Sequence, residues 1–158
     1  MSTTLNLIEL RIGSTRDLGT VDAIMARAFD PRFGEAWTHA QCLGVLAMPG
    51  VWLTIASIDG QAAGFALSRA IVDEAELLLL GTIPEVRRRG VGGALVRSVI
   101  NEARDRGAAR LYLEVRSNNE AVRLYRSLGF EKVGERRGYY RGTGRQLYDA
   151  YTFQQMLG

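Results

Sequence analysis

The chain has 158 residues, 47% hydrophobic and 23% charged, a composition that excludes global disorder and predicts one continuous domain over residues 1–158. Twenty basic residues against 17 acidic ones leave a net charge of +3, too mild to mark a nucleic-acid or membrane binder, and Lys132 is the only lysine among them. A single cysteine, Cys42, and a single histidine, His39, exclude an internal disulfide and argue against a metal centre.

The first strand is predicted over Leu5 to Ile12, and Val21, Ile24, Met25 and Ala28 then recur at helical spacing until Asp30-Pro31 ends the run. A second helix is predicted over Ala36 to Ala47. Val51 to Ile58 and Gln61 to Arg69 read as strands, and the two-residue Asp59-Gly60 between them predicts an antiparallel hairpin. Ala75 to Ile83 is an almost continuous apolar run, predicted as a strand buried on both faces and stopped by Pro84. Val91, Leu95, Val99 and Ala103 form one stripe of a helix ending near Gly107, and Leu111 to Val115 is a further strand. Ala121, Leu124, Tyr125 and Leu128 share one helical face closed by Gly129, followed by strands around Phe130 to Val133 and Leu147 to Phe153. The order is βααβββαβαββ, of α/β (α+β) class. No apolar run reaches the length of a membrane span and the amino terminus has no signal-peptide pattern, so a cytoplasmic location is the default expectation.

Between the fourth strand and the third helix lies Arg87-Arg88-Arg89-Gly90-Val91-Gly92-Gly93. Glycines admit an anion close to backbone N–H groups, the following helix points its positive end at the same place, and arginines add charge. The turn is predicted to bind the pyrophosphate of a nucleotide-bearing cofactor.

This order and this turn resemble the GNAT family of acetyl-CoA-dependent N-acetyltransferases. The family's cofactor signature, arginine or glutamine, two residues, glycine, one residue, glycine or alanine, is present as Arg87-Arg88-Arg89-Gly90-Val91-Gly92. Leu113-Glu114-Val115-Arg116, Asn118-Asn119 and Leu124-Tyr125-Arg126-Ser127-Leu128-Gly129-Phe130 follow it, so the resemblance covers roughly residues 75 to 130. Within the family, Leu113-Glu114-Val115-Arg116 and Arg136-Arg137-Gly138-Tyr139-Tyr140 are similar to the RimI type, which acetylates the amino-terminal residue of a small-subunit ribosomal protein.

The resemblance implies a mixed, mostly antiparallel sheet of about seven strands with helices on both faces, splayed between the fourth and fifth strands. Backbone at Leu80, Gly81 and Thr82 would then hold the acetyl carbonyl and pantetheine arm. It implies acetyl-CoA as cofactor, no metal, and as acceptor a protein amino terminus, for example of a ribosomal protein, or a small amine, with neither membrane nor nucleic acid as a direct partner. Glu114 and Tyr125 stand one residue closer together than in most RimI-type sequences, which leaves either Asn118 or Asn119 in the family's asparagine position.

Acetyl transfer to an amine needs a neutral nucleophile, a polarised carbonyl and a proton for the departing thiolate. The resemblance places Tyr125 as the proton donor, whereas spacing alone reads it as core packing. It offers Glu114 as the RimI-type base and Glu76, fourteen residues before Gly90, as the histone-type one. Alternation with Leu111, Leu113 and Val115 favours Glu114, since a strand buried on one face presents the other. Phe33, Glu35 and Trp37 fall between the first two helices, and Tyr139 and Tyr140 in a glycine-rich loop from Gly138 to Gly144; these five are candidate acceptor walls. Two other readings remain open, a small-amine acetyltransferase and a non-catalytic acyl-CoA-binding regulatory module.

Overall fold

The turn residues Asp59 and Gly60 both take positive φ (51° and 78°), the left-handed pair whose twist matches that of a tight hairpin. They fold β2 (Val51–Ile58) back on β3 (Gln61–Ile71) with Ile58 opposite Gln61. β1 (Ile8–Ile12) pairs with β2 and β4 (Glu74–Thr82) with β3, both antiparallel. With β5 (Arg110–Arg116), β6 (Glu131–Arg141) and β7 (Leu147–Met156) the sheet runs β1-β2-β3-β4-β5-β7-β6, and β4–β5 is its parallel pair. Helices α1 (Leu18–Ala28), α2 (His39–Leu46), α3 (Val91–Asp105) and α4 (Ala121–Ser127) complete the expected order βααβββαβαββ. This computed structural model describes residues 7–158; the first two residues of the expected opening strand, Leu5 and Asn6, lie outside the described residues.

Each face of the sheet buries its own core. On one, Val91, Leu95, Val96, Val99 and Ala103 of α3 pack on Ala56, Ala66, Leu111, Leu113 and Phe153. On the other, Val21, Ile24 and Met25 of α1 and Cys42 of α2 cover Leu53, Ile55, Phe65, Leu67 and Leu79. The α1/α2 layer sits over β2–β4, which leaves the same face of β5 and β7 half-exposed at Tyr112, Glu114, Thr152 and Gln154. Among the described residues no helix is long and apolar enough to cross a membrane.

Three local expectations need correction. β4 is only partly buried: it sends Ala75 and Leu77 into one core and Leu79 into the other, while Glu76, Leu78, Leu80 and Thr82 are half-exposed because a cleft opens along them. α2 begins at His39, not Ala36, because Thr38 and Gln41 form a reciprocal capping box (3.1 and 2.8 Å) that fixes the start and leaves Ala36 and Trp37 in the preceding loop. Tyr139 and Tyr140 lie within β6 itself, which continues to Arg141. Gly138, at φ 61°, forms a bulge whose N–H donates to the Asp149 carboxylate (2.9 Å), so the strand absorbs the extra residues and resumes pairing at Tyr140 opposite Tyr148.

The bulge that matters most lies in β4. Leu67 pairs with Leu79 and Ser68 with Leu77, so Leu78 is an inserted residue. Parallel pairing with β5 stops at the same point, Leu77 opposite Leu113. Leu78 to Thr82 therefore keep β3 on one side and have no strand on the other, and the sheet splays there as expected.

At the opposite end of α1, Asp17 accepts two bonds from the Arg11 guanidinium (2.6 and 3.1 Å) and one from the Ser14 N–H (2.8 Å), tying β1 to the start of the helix. These bonds lower its pKa from 3.8 to about 2. A depressed carboxyl stabilises the fold above its unfolded value and loses that contribution as pH falls through its folded value. Asp17→Asn is expected to melt a few degrees below wild type at pH 7. In thermal melts the difference should shrink as pH drops from about 4 to about 2.

Candidate active site

The chain between β4 and α3 is held open for an anion by its backbone. Arg88 (φ 67°) and Gly90 (φ 87°) are left-handed, and Gly90 is the N-cap of α3 with no side chain capping the helix and no acidic residue in its first turn. The amides of Val91, Gly92 and Gly93 have no partner within the helix, a concentration of donors that favours a phosphate. A Cβ on Gly92 would stand 3.2 Å from Leu124, so glycine keeps α3 and α4 close at the turn. The three arginines divide their work. Arg87 donates to the Ala28 carbonyl (2.7 Å) and pins the end of α1 to the turn; Arg88 lines the cleft; Arg89 is exposed but not on the cleft wall, and the Val91 side chain is in the core.

From this turn a cleft of about 1580 Å³ runs along the splay, past Leu78 to Thr82 on one wall and Arg116 to Tyr125 on the other, to Glu76, Glu114, Tyr139 and Tyr140. Tyr125 is 5% exposed and packs edge-on against Phe130 (centroids 5.7 Å apart) and beside Phe153 (6.4 Å), so both readings of it hold: its ring belongs to the core and it also lines the cleft. Burial, with the nearby Glu35 charge adding to it, raises its phenol far above the usual range, so the proton stays on at neutral pH.

The two candidate carboxylates differ in how they are held. Glu114 is fixed at both oxygens, Oε2 accepting from Thr152 Oγ1 (2.8 Å) and Oε1 facing Arg136 Nε (3.0 Å). Glu76 has one looser neighbour, Arg69 at 3.6 Å. Burial raises the Glu76 pKa; Arg69 and Arg136 pull it back, and the Glu114 charge pushes it further up. Tyr140, its phenol also raised by burial, donates to the Glu114 backbone carbonyl at 3.3 Å.

The loop between α1 and α2 closes over this end. Glu35 is 10% exposed at its side chain and is consumed by two partners, Arg116 Nε and Asn119 Nδ2, both at 3.1 Å. Arg116 also donates to Asn118 Oδ1 (2.5 Å) and lies over the Phe33 ring (3.5 Å to its centroid). Asn119 Oδ1 in turn accepts from the Ala121 N–H at the start of α4 (2.9 Å). Both asparagines therefore line the cleft with their oxygens already bonded inside the protein. Trp37 lines the cleft and packs on the α1/α2 core.

The profile of the Acetyltransferase (GNAT) family matches residues 20–130. The chain belongs to the GNAT family. It is 43% identical over 90 residues to the ribosomal protein bS18-alanine N-acetyltransferase of Escherichia coli K12, a match spanning 56% of this chain and 61% of that protein's length. It is 37% identical over 129 residues to the N-alpha-acetyltransferase RimI of Mycobacterium tuberculosis, covering 78% of each. The crystal structure of the E. coli ribosomal-protein-S18-alanine N-acetyltransferase superposes with a TM-score of 0.85 at 30% identity, over 96% of this chain and 95% of that one.

Two cleft residues of this GNAT domain escape a motif-based reading. Arg97 lies one helical turn beyond Gly93, its guanidinium 3.3 Å from where a Gly93 Cβ would stand, and it lines the cleft. The i to i+4 spacing from the glycine turn is the signal that would have found it. Arg116 sits inside the motif Leu113-Glu114-Val115-Arg116, but only its 9% side-chain exposure and three partners reveal what it holds. The raised phenols carry a spectroscopic prediction. Tyr125→Phe should leave unchanged whatever tyrosinate absorbance develops up to about pH 11, because burial keeps the Tyr125 proton on in that range.

Proposed function

We propose that this protein transfers an acetyl group from acetyl-CoA to the free α-amine of a polypeptide, the amine attacking directly within a ternary complex. The observation that carries this reading is one cleft lined by an uncapped helix N-terminus, a strand edge with no neighbour, two carboxylates and a protonated phenol. A single domain over residues 1–158 would hold both substrates. The E. coli relative is named as a ribosomal protein's alanine N-acetyltransferase and the M. tuberculosis relative as an N-alpha-acetyltransferase, and a polypeptide α-amine is the acceptor class proposed here.

When bound, acetyl-CoA supplies the activated acetyl thioester. Arg88, Gly90, Gly92 and Gly93 would hold its pyrophosphate at the α3 N-terminus, with Arg97 adding charge, and the open edge of Leu80, Gly81 and Thr82 would receive the pantetheine arm. The turn fits such a group because it offers donors, carries no competing acid and has no side-chain cap.

Tyr125 keeps a proton on its Oη at the cleft wall, the form a general acid requires. Glu76, whose proton affinity burial has raised, is suited to take the proton from the amine; Glu114, bonded at both oxygens, stands as a fixed charge that draws an ammonium towards it. Little basicity is needed for an α-amine: with reference pKa values of about 7.8 and 10.4, its neutral fraction near pH 7.5 exceeds that of lysine roughly 200-fold. Arg69 and Arg136 beside the two carboxylates disfavour a polycation as the acceptor.

The decisive assay is acetyl-CoA-dependent thiol release with product mass, comparing peptides bearing a free amino terminus, blocked peptides containing lysine, and polyamines. Turnover confined to the free terminus supports the proposal; turnover confined to small amines replaces the acceptor, and tight cofactor binding without any turnover sinks the enzymatic reading. Tyr125→Phe is expected to keep acetyl-CoA affinity and lose turnover by about 10²-fold or more. Below the raised pKa of Glu76 both it and the substrate amine take up protons, so log kcat/KM should steepen from about one to about two decades per pH unit as pH falls. Glu76→Gln should abolish the steeper limb in a pH–rate profile, whereas a limb removed by Glu114→Gln alone would move the base to Glu114.

A further inference from the structure

Asp22, Met25, Ala26 and Phe29 recur at i, i+3, i+4 and i+7 and so share one face of α1 and its last turn. Because the Thr38–Gln41 capping box starts α2 at His39, that residue meets the same face: its Nδ1 lies 2.5 Å from Asp22 Oδ2. The two helices are thus joined at Asp22, and the loop between them carries Ala36 and Trp37 around a hollow of about 430 Å³. Asp22, Ala26, Ala36 and His39 line this hollow and not the main cleft. Phe29 and Trp37 line both, so the two cavities share an aromatic wall.

We propose that the hollow is a second ligand site, for a small apolar cation, and that its occupancy limits how far Trp37 can yield in the main cleft. The class of ligand follows from the lining. Phe29, Trp37 and the Met25 thioether offer contacts to an apolar body, and the polar part of the lining is the Asp22–His39 pair. With the imidazole neutral that pair carries one negative charge, and among the described residues no other side chain bonds to Asp22. A carboxylate beside two aromatic rings attracts an alkylammonium and disfavours an anion. The volume suits one ring with its ammonium group, since ligand sites begin at roughly 300 Å³. Trp37 packs on the α1/α2 core and is open to both cavities. An empty hollow leaves the indole room to step back from a bulky acceptor, and a filled one removes that room. The binding site stands by itself; its effect on Trp37 rests on the acetyltransferase reading.

The probe is benzyltrimethylammonium, which has no N–H and so cannot be acetylated. It is titrated against tryptophan fluorescence without acetyl-CoA or peptide, with benzyl alcohol as the uncharged arm. Trp37 is the reporter, since Trp52, the other tryptophan, is buried in the opposite core beneath Arg106. The expected result is a saturable change, with benzyl alcohol bound about tenfold more weakly. Ala26→Phe, whose ring fills the hollow, should abolish it. Asp22→Asn, which keeps a partner for His39 and loses the charge, should weaken it about threefold, and it carries the test if bulk at position 26 prevents folding in thermal melts. No saturable change in wild type overturns the site; affinity unaltered in the folded variants moves the cation to the main cleft and overturns it too. Equal binding of benzyl alcohol overturns the assignment of a cation. On a free-terminus peptide with a bulky first residue, the probe should raise KM about fivefold and leave kcat unchanged, with Ala26→Phe mimicking it. An unchanged KM overturns the coupling to Trp37. Wild type inactive on the peptide overturns the acetyltransferase reading and that coupling with it, while the fluorescence titration still decides the site.

Discussion

The parting of β4 from β5 after Leu77 is the constraint on which the rest of this molecule depends. One inserted residue, Leu78, turns β4 out of register with β3 and ends its parallel pairing with β5 in the same step. A strand edge in the middle of a sheet leaves backbone donors and acceptors unpaired, which costs free energy unless something occupies the gap. The fold places that edge directly before the phosphate turn, so the segment that lacks a strand partner leads into the segment that lacks a helix cap. A nucleotide-linked thioester with an extended amide arm satisfies both deficits at once.

Arginine does much of the positioning. Arg87 ties the end of α1 to the turn through a carbonyl, and Arg116 ties the α1–α2 loop to the β5–α4 turn through Glu35, Asn118 and the face of Phe33. A planar guanidinium with five donors can serve three partners in fixed directions, which a lysine ammonium cannot. The Glu35–Arg116 pair is almost fully withdrawn from water, so its Coulomb gain is largely offset by desolvation and its value is directional. Losing one partner would leave the other charge buried and alone. Asn119 carries that geometry on to α4, whose Tyr125 lines the same cleft, and links the α1–α2 loop to the start of that helix through two hydrogen bonds.

The two ends of the cleft have opposite electrostatic characters. At the cofactor end, backbone amides and unpaired arginines await an anion. At the other end, Glu76 and Glu114 face Arg69 and Arg136, close to charge balance, with the phenols of Tyr139 and Tyr140 nearby. Balance there avoids a field that would concentrate polycations, and burial of Glu76 raises its proton affinity.

Much of this was written in local sequence. Asp59-Gly60 specified its hairpin because only a left-handed pair fits there, the stripe Val91, Leu95, Val99, Ala103 specified the face of α3, and the glycine turn specified an anion site, each through interactions within a few residues. Sequence also carried the alternation that turns Glu114 away from the core, and the motif that puts Tyr125 on α4 at the wall of the same cleft. It overstated the burial of β4 because an apolar run looks the same whether its neighbours are helices alone or helices and a cleft. It ended β6 too soon because a glycine bulge and a loop share one composition until Asp149, eleven residues on, takes the Gly138 N–H. Arg116, paired with a glutamate 81 positions away, and the close approach of Gly34 to the Arg141 carbonyl were decided by the tertiary structure alone, because close approach between distant segments leaves no period, spacing or local pattern in the chain that makes it.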